Sequence, residues 1–156
     1  MPKLLKAGSF TIDAWRRLDA DAARIADGDA LLFPLPVWLA RRDALLARDS
    51  SHTGIWLNGD EEPEQIAADI HRFGCIAVNF PTFMDGRGFS CGRLLRERYG
   101  FRGELRAVGD IFVDQLHFLR RCGFDAFELP DDTSLDTARN CLDAFSVHYQ
   151  AACDPA

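Results

Sequence analysis

Residues 74–110 read GCIAVNFPTFMDGRGFSCGRLLRERYGFRGELRAVGD, and two apolar runs within them decide the fold class. The first, Cys75–Phe80, is a short, nearly continuous apolar stretch closed off by Gly74 and Pro81, which is how a buried strand reads. A loop over 81–88 follows, and then a segment from about Ser90 to Tyr99 in which Leu94 and Leu95 supply the apolar contacts of a helix. The second run, Glu104–Val108, repeats the pattern. It leads into a helix from about Asp110 to Cys122, with Phe112, Leu116 and Leu119 along one face. Strand and helix alternating at this spacing predict parallel pairing through right-handed crossovers, and hence an α/β protein.

The same unit recurs on both sides. Leu31–Leu35 is followed by a helical pattern over Pro36–Arg48, with Pro36 where a missing N–H costs least. Gly54–Leu57 is followed by one over Pro63–Phe73, in which Ile66, Ile70 and Phe73 share a face. Ala126–Leu129 is followed by a helix from Thr133 or Ser134, with Asp136 imitating a capping box and Leu135, Ala138, Leu142 and Phe145 as its stripe. Five βα units result. Gly74, Gly100 and Gly123 each stand just past a helix, where a left-handed cap favours glycine. Ahead of the units, residues 1–30 read as an extension in which Trp15, Leu18, Ala22 and Ile25 recur at helical spacing and Gly28 is a stop. The chain is thus expected to be one α/β domain over 1–156, with βα repeats over 31–150 and a tail over 151–156.

Sheet layout is the harder question. A doubly wound sheet is covered on both faces, so its strand interiors should be almost continuously apolar. Asn79, Arg106 and Glu128 interrupt three late strands instead, and an unpaired charge between sheet and helix would be too costly. An inward face open at the carboxyl end would let the three groups converge and bond one another, which predicts a partial, half TIM-like barrel of about five strands. The alternative is an open three-layer doubly wound sheet with one or two of these strands at an edge. A five-stranded half-barrel has two bare edges, so a homodimer is expected to cover them.

Composition excludes several classes. The 156 residues carry 18 basic and 24 acidic side chains, a net charge of −6, and 47% are apolar. A chain of this length buries roughly 68–70% of its extended surface, so it needs no disulfide or metal staple. The acidic balance argues against nucleic acid as a partner, since affinity for phosphate backbones is built from clustered Lys and Arg. No stretch approaches the roughly 18 apolar residues of a membrane span and no secretory leader is evident, so a cytoplasmic location is expected. Cys75, Cys91, Cys122, Cys141 and Cys153 are irregularly spaced, with no metal or redox pair among them. Cys122 and Cys141 fall on apolar helix faces, and Cys91, beside a glycine, is the one thiol to test for reactivity. His52, His71, His117 and His148 lack metal spacing, and no Gly-x-Ser-x-Gly elbow occurs. Trp38 and Trp56 are expected to pack the first two units.

In parallel α/β folds the loops after the strands build the site. The loop after Cys75–Phe80 carries Asp85, Arg87, Gly88 and Ser90. Its glycines allow close backbone approach, Arg87 offers a planar fork for an oxyanion, and Ser90 at a helix N-terminus suits an anion. The next unit adds Asp110, Asp114 and Gln115, with Asp110 also readable as an N-cap. Arg106 and Glu128 could pair with each other or serve as a charged couple facing the cleft. Arg87, Gly88, Ser90, Asn79, Arg106, Gln115 and Glu128 are therefore the candidate ligand-binding residues, and Asp85, Asp110 and Asp114 the candidate proton-handling ones. The residues point to no metal and leave the cofactor unknown, because dinucleotide, flavin and Fe–S motifs are all missing.

The segments AVNFP (77–81), DGRGFS (85–90), LLR (94–96), GELRAVGD (103–110), DQL (114–116) and RCGFDAFEL (121–129) resemble a bacterial family catalogued as domain of unknown function 934, over about two-thirds of the chain. That resemblance implies a setting in assimilatory sulfite reduction, because members are described as oxidoreductases connected with it and their genes tend to lie beside those of sulfite reductase. No catalytic residues come with it. The expected function is an accessory protein of sulfate and sulfite reduction that binds a small oxyanion or anionic metabolite at the strand carboxyl ends. The alternatives are a non-catalytic partner of sulfite reductase subunits and a small lyase or isomerase.

Overall fold

A computed structural model of the chain describes residues 3–18, 28–80 and 87–143. Eight strands form one sheet: β1 (Lys3–Lys6), β2 (Ser9–Thr11), β3 (Arg16–Arg17), β4 (Leu31–Pro34), β5 (Thr53–Asn58), β6 (Cys75–Phe80), β7 (Glu104–Gly109) and β8 (Ala126–Leu129). Their spatial order is β2-β1-β8-β7-β6-β5-β4-β3, with β3 to β8 parallel and the β1–β2 hairpin antiparallel against β8. Neighbours follow chain order from β3 to β8 without the reversal that a doubly wound sheet requires. The sheet is a curled half-barrel, and the doubly wound alternative falls away.

The length of one connection accounts for the curl. The chain leaves β2 at Thr11 and enters β3 at Arg16, on the opposite edge of the sheet. Those five Cα steps reach at most ~18 Å. Eight flat strands would set the edges about 34 Å apart. Residues 12–15 can therefore join the two edges only as a chord across a strongly curved sheet.

The convex face is covered by α1 (Leu35–Leu45), a 3₁₀ stretch (Pro63–Arg72), α2 (Arg87–Arg93) with its π-helical continuation (Leu94–Arg98), α3 (Leu116–Arg121) and α4 (Leu135–Asp143). Against them the strands turn Phe33, Ile55, Leu57, Ile76, Val78 and Leu105, all essentially inaccessible. The alternate residues Leu32, Cys75, Ala77 and Val108 line the concave face beneath Trp15 and Trp56. This two-faced alternation is what the polar interruptions in the late strands express.

Several expectations are corrected. Trp15 is in coil and Arg16–Arg17 in a strand, so the helix expected around Trp15 and Leu18 does not form there; Ala22 and Ile25 lie outside the described residues. Residues 3–17 instead supply three short strands, so the two edges of the sheet are β2 and β3, of three and two residues, in place of β8 and β4. Gly100 and Gly123 have the expected left-handed backbone, at φ 68° and 105°, but Gly74 does not. Gly74 has a packing reason instead, since a Cβ there would lie 2.6 Å from the Ser50 carbonyl. Trp38 is buried and donates to Asp69, whereas Trp56 is half-buried on the concave side. Cys91 is buried within α2 rather than in a loop, and burial pushes its thiol up to about 12, so it is no reactive thiolate.

Candidate functional site

The register of the strands sets out the concave wall in rows. In the lowest, Cys75 of β6 stands beside Glu104 of β7; in the next, Ala77 stands beside Arg106; in the third, Asn58, Asn79 and Val108 stand side by side. Glu128 is level with Leu4 on β1, and Arg106 with Ala126 two residues before it. Asn79, Arg106 and Glu128 thus share the inward face, as their spacing predicts.

They do not bond one another. Arg106, 1% exposed, directs Nε and Nη2 to Glu104 at 2.9 and 2.7 Å and Nη1 to Asp13 on the chord at 2.8 Å. Glu104 also accepts from Lys6 at 2.7 Å and from the Cys75 thiol at 3.3 Å. Burial opposes ionisation of Glu104, yet the Lys6 hydrogen bond and the Arg106 charge more than offset it and hold the carboxyl below its usual range. The expected pair of Arg106 with Glu128 is replaced by this network because Glu104, two residues back on the same strand, points to the same face and is nearer. Glu128, half-buried, makes no hydrogen bond among the described residues, and burial raises its pKa despite the attraction of Arg106.

Above the network the wall carries the Asn58 and Asn79 amides and the Trp56 indole beside Val108. Asn79 Nδ2 and Trp56 Nε1 both donate to Asn58 Oδ1, each at 3.3 Å. Asn79 lies against Gly109, whose φ of 91° and lack of a side chain are both required, since a Cβ would stand 2.3 Å from the Asn79 amide oxygen. The guanidinium of Arg17 on β3 lies 4.3 Å from the centre of the Trp56 ring and pairs with no carboxylate among the described residues. Arg17, level with Leu32, Gly54 and Cys75 in the lowest row, thus starts a chain of contacts that runs through Trp56 to Asn58 and Asn79 at the carboxyl ends of the strands. Together these present a cation, an aromatic face and amide donors.

The remaining sequence candidates are placed differently. Asp85 lies outside the described residues. Arg87 is exposed at the start of α2, so Ser90 sits exposed inside that helix and not at its N-terminus. Gly88 is buried, with the Phe80 ring 2.4 Å from where a Cβ would be, so its smallness serves packing. Asp110 is exposed and donates its backbone N–H to the Phe80 carbonyl at 2.7 Å; it is not an N-cap, because the helical turn begins only at Val113. There the Gln115 side chain accepts from the Phe112 N–H at 2.9 Å, and Asp114 is exposed beside it. Lys6, Asp13, Arg17, Asn58 and Glu104 were missed. A signal for Asn58 existed: Trp56-Leu57-Asn58 and Ala77-Val78-Asn79 put the same residue at the same height near the ends of consecutive strands.

Among the described residues no His, Cys, Asp and Glu side chains cluster so as to hold a metal, and no helix is long and apolar enough to cross a membrane. A family model described as Bacterial protein of unknown function (DUF934) matches residues 54–156. The chain belongs to the DUF934 family. Within this DUF934 protein the match takes in Asn58, Asn79, Glu104, Arg106 and Glu128, while Lys6, Asp13 and Arg17 precede it. No curated protein matches the chain.

Proposed function

We propose that this protein is an accessory of assimilatory sulfate and sulfite reduction that binds a small oxyanion or anionic metabolite at the carboxyl ends of its parallel strands. The setting rests on the family resemblance in residues 77–129. The binding role rests on one observation above all: a guanidinium without a carboxylate partner among the described residues, held over Trp56 and joined through it to the Asn58–Asn79 amides. Amide and guanidinium donors around an aromatic face suit a small anion with several oxygens. Arg106 contributes shape and field here, since its donors are engaged by Glu104 and Asp13. Arg87 remains a second candidate cation on α2.

Titration calorimetry of sulfite and of sulfate tests this. Loss of a charged hydrogen bond of ~1.5–3 kcal/mol weakens binding by roughly 10- to 100-fold, which is the expectation for Arg17→Ala. If neither anion binds the wild-type chain, or if Arg17→Ala and Arg87→Ala bind as it does, the anion role is wrong. The same reading carries association with sulfite reductase subunits and a homodimer, which co-purification and light scattering measure.

A small lyase or isomerase is the second reading, favoured by Glu128. A half-buried carboxyl with a raised pKa and no hydrogen bond among the described residues is suited to proton transfer. Turnover in a metabolite screen that Glu128→Gln abolishes would support it, and no turnover with any anionic metabolite would remove it.

A further inference from the structure

On the convex side, at the amino-terminal end of β8, a cavity of about 560 Å³ lies between the β1–β2 turn and the ends of α3 and α4. It is on the other face of the sheet from the Arg17–Asn79 site, and at the opposite strand ends from Asn58 and Asn79. Its size is that of a small-molecule pocket. Leu5, Phe124, Phe127 and Leu142 make an apolar floor, and charged side chains stand at the rim.

Most of those charges are already matched. Lys6 is bound to Glu104 across the sheet, and Arg120 lies 3.7 Å from Asp143. Asp125 accepts the Leu105 N–H at 2.8 Å and faces Arg96 at 3.4 Å. Arg139 differs. Its Nε donates to the Gly8 carbonyl at 2.7 Å and its Nη2 to the Ser9 hydroxyl at 3.4 Å, so both its partners are neutral and it pairs with no carboxylate among the described residues. The two-residue turn Ala7–Gly8 is left-handed at φ 54° and 77°, as a tight β1–β2 hairpin requires, and its Gly8 carbonyl accepts from Arg139 on α4.

We propose that this cavity binds a small amphipathic anion, a hydrocarbon or aromatic body on the Leu5–Phe124–Phe127–Leu142 floor with a single carboxylate, sulfonate or phosphate on Arg139. An apolar floor rejects a bare inorganic ion, and one orienting cation at the rim fixes which end of the ligand points outward.

The probe is 8-anilinonaphthalene-1-sulfonate, titrated into the full chain and followed by fluorescence and by amide chemical shifts. Saturable binding at one site is expected, with shifts concentrated at Gly8, Arg139 and Leu142. Arg139→Glu, a reversal at an exposed position, should weaken it by about tenfold or more, and Leu142→Trp should abolish it by filling the floor. Absence of binding, shifts centred on exposed Phe112 and Phe118, or unchanged affinity in Arg139→Glu would each overturn the proposal. Arg139→Glu keeps the test decisive should Leu142→Trp fail to fold. Sulfite and sulfate titrations of the same variant separate this cavity from the strand-end site, because Arg139→Glu leaves Arg17 untouched.

Discussion

Glu128 and Gly92 show how single positions carry costs that the fold tolerates. Burial raises the Glu128 pKa, outweighing the pull of Arg106, and repulsion from Asp13 adds to it. A carboxyl that holds its proton more tightly when folded than when unfolded penalises folding as pH rises past the ordinary glutamate value of ~4.3 and through the folded one. Glu128→Gln removes that penalty. The variant should melt higher than wild type at pH 7 and show no advantage below about pH 4, where both side chains are neutral. Thermal melts across that range measure the difference, and an advantage that persists at low pH would show that the gain is not electrostatic. Gly92 lies in α2, where Gly→Ala ordinarily stabilises a helix by ~1 kcal/mol. Here a Cβ would stand 2.4 Å from the ring of Phe124, which is itself fully buried. Overpacking of this kind costs ~1–3 kcal/mol, so Gly92→Ala should lower stability in denaturant titrations, against the helix rule.

The strap over residues 12–15 is the element that ties the site to the fold, through Asp13 on Arg106 and the Trp15 ring, which a Cβ on Gly54 would approach to 3.1 Å. Its two polar anchors are unequal. Arg106→Ala leaves the nearly buried Glu104 with Lys6 alone as its cation, and removing one member of a buried pair costs about 3 kcal/mol or more. Asp13→Ala leaves Arg106 still held by Glu104, so the loss should be nearer 1 kcal/mol. Chemical denaturation of both variants checks the ranking, and equal losses would mean that the strap anchor, not Glu104, satisfies the arginine. This element was illegible in the sequence. Trp15 and Leu18 are three apart and mimic a helical stripe, but each faces the sheet from coil, and strands of two to four residues are too short to show alternation. The five βα units were legible because each strand is an apolar run bounded by Gly or Pro; β6 and β8 begin and end where those runs do. Asn79, Arg106 and Glu128 were readable as inward-facing because polar groups inside such strands need an open face. Their partners were not, since Asp13 is 93 positions from Arg106.

At the scale of the molecule, the chord imposes a length condition that no single contact does. Five Cα steps between Thr11 and Arg16 reach at most ~18 Å, and both ends are fixed in the sheet. β2 is held by the Thr11–Leu4 register, and β3 by Arg16 and Leu18, whose N–H groups donate to the Ala30 and Leu32 carbonyls at 3.0 and 2.9 Å. Deleting Asp13 and Ala14 leaves three steps and a reach of at most ~11 Å. Closing a half-barrel that far would force its concave side chains into one another, so one edge strand must detach instead. Being only two residues long, β3 should be the one to go. Hydrogen exchange is expected to show lost protection at Arg16 and Leu18 in the deletion variant, with β5 to β7 still protected. Inserting two glycines after Ile12 should leave those amides protected, because a longer chord spans the same gap for little extra loop entropy. Asp13→Ala separates the ion pair from the length: it should keep β3 protected. Protection retained at Arg16 and Leu18 in the deletion variant would mean that the sheet can curl further than its packed interior allows, and the curvature would then have to be set by the helices outside rather than by the chord within.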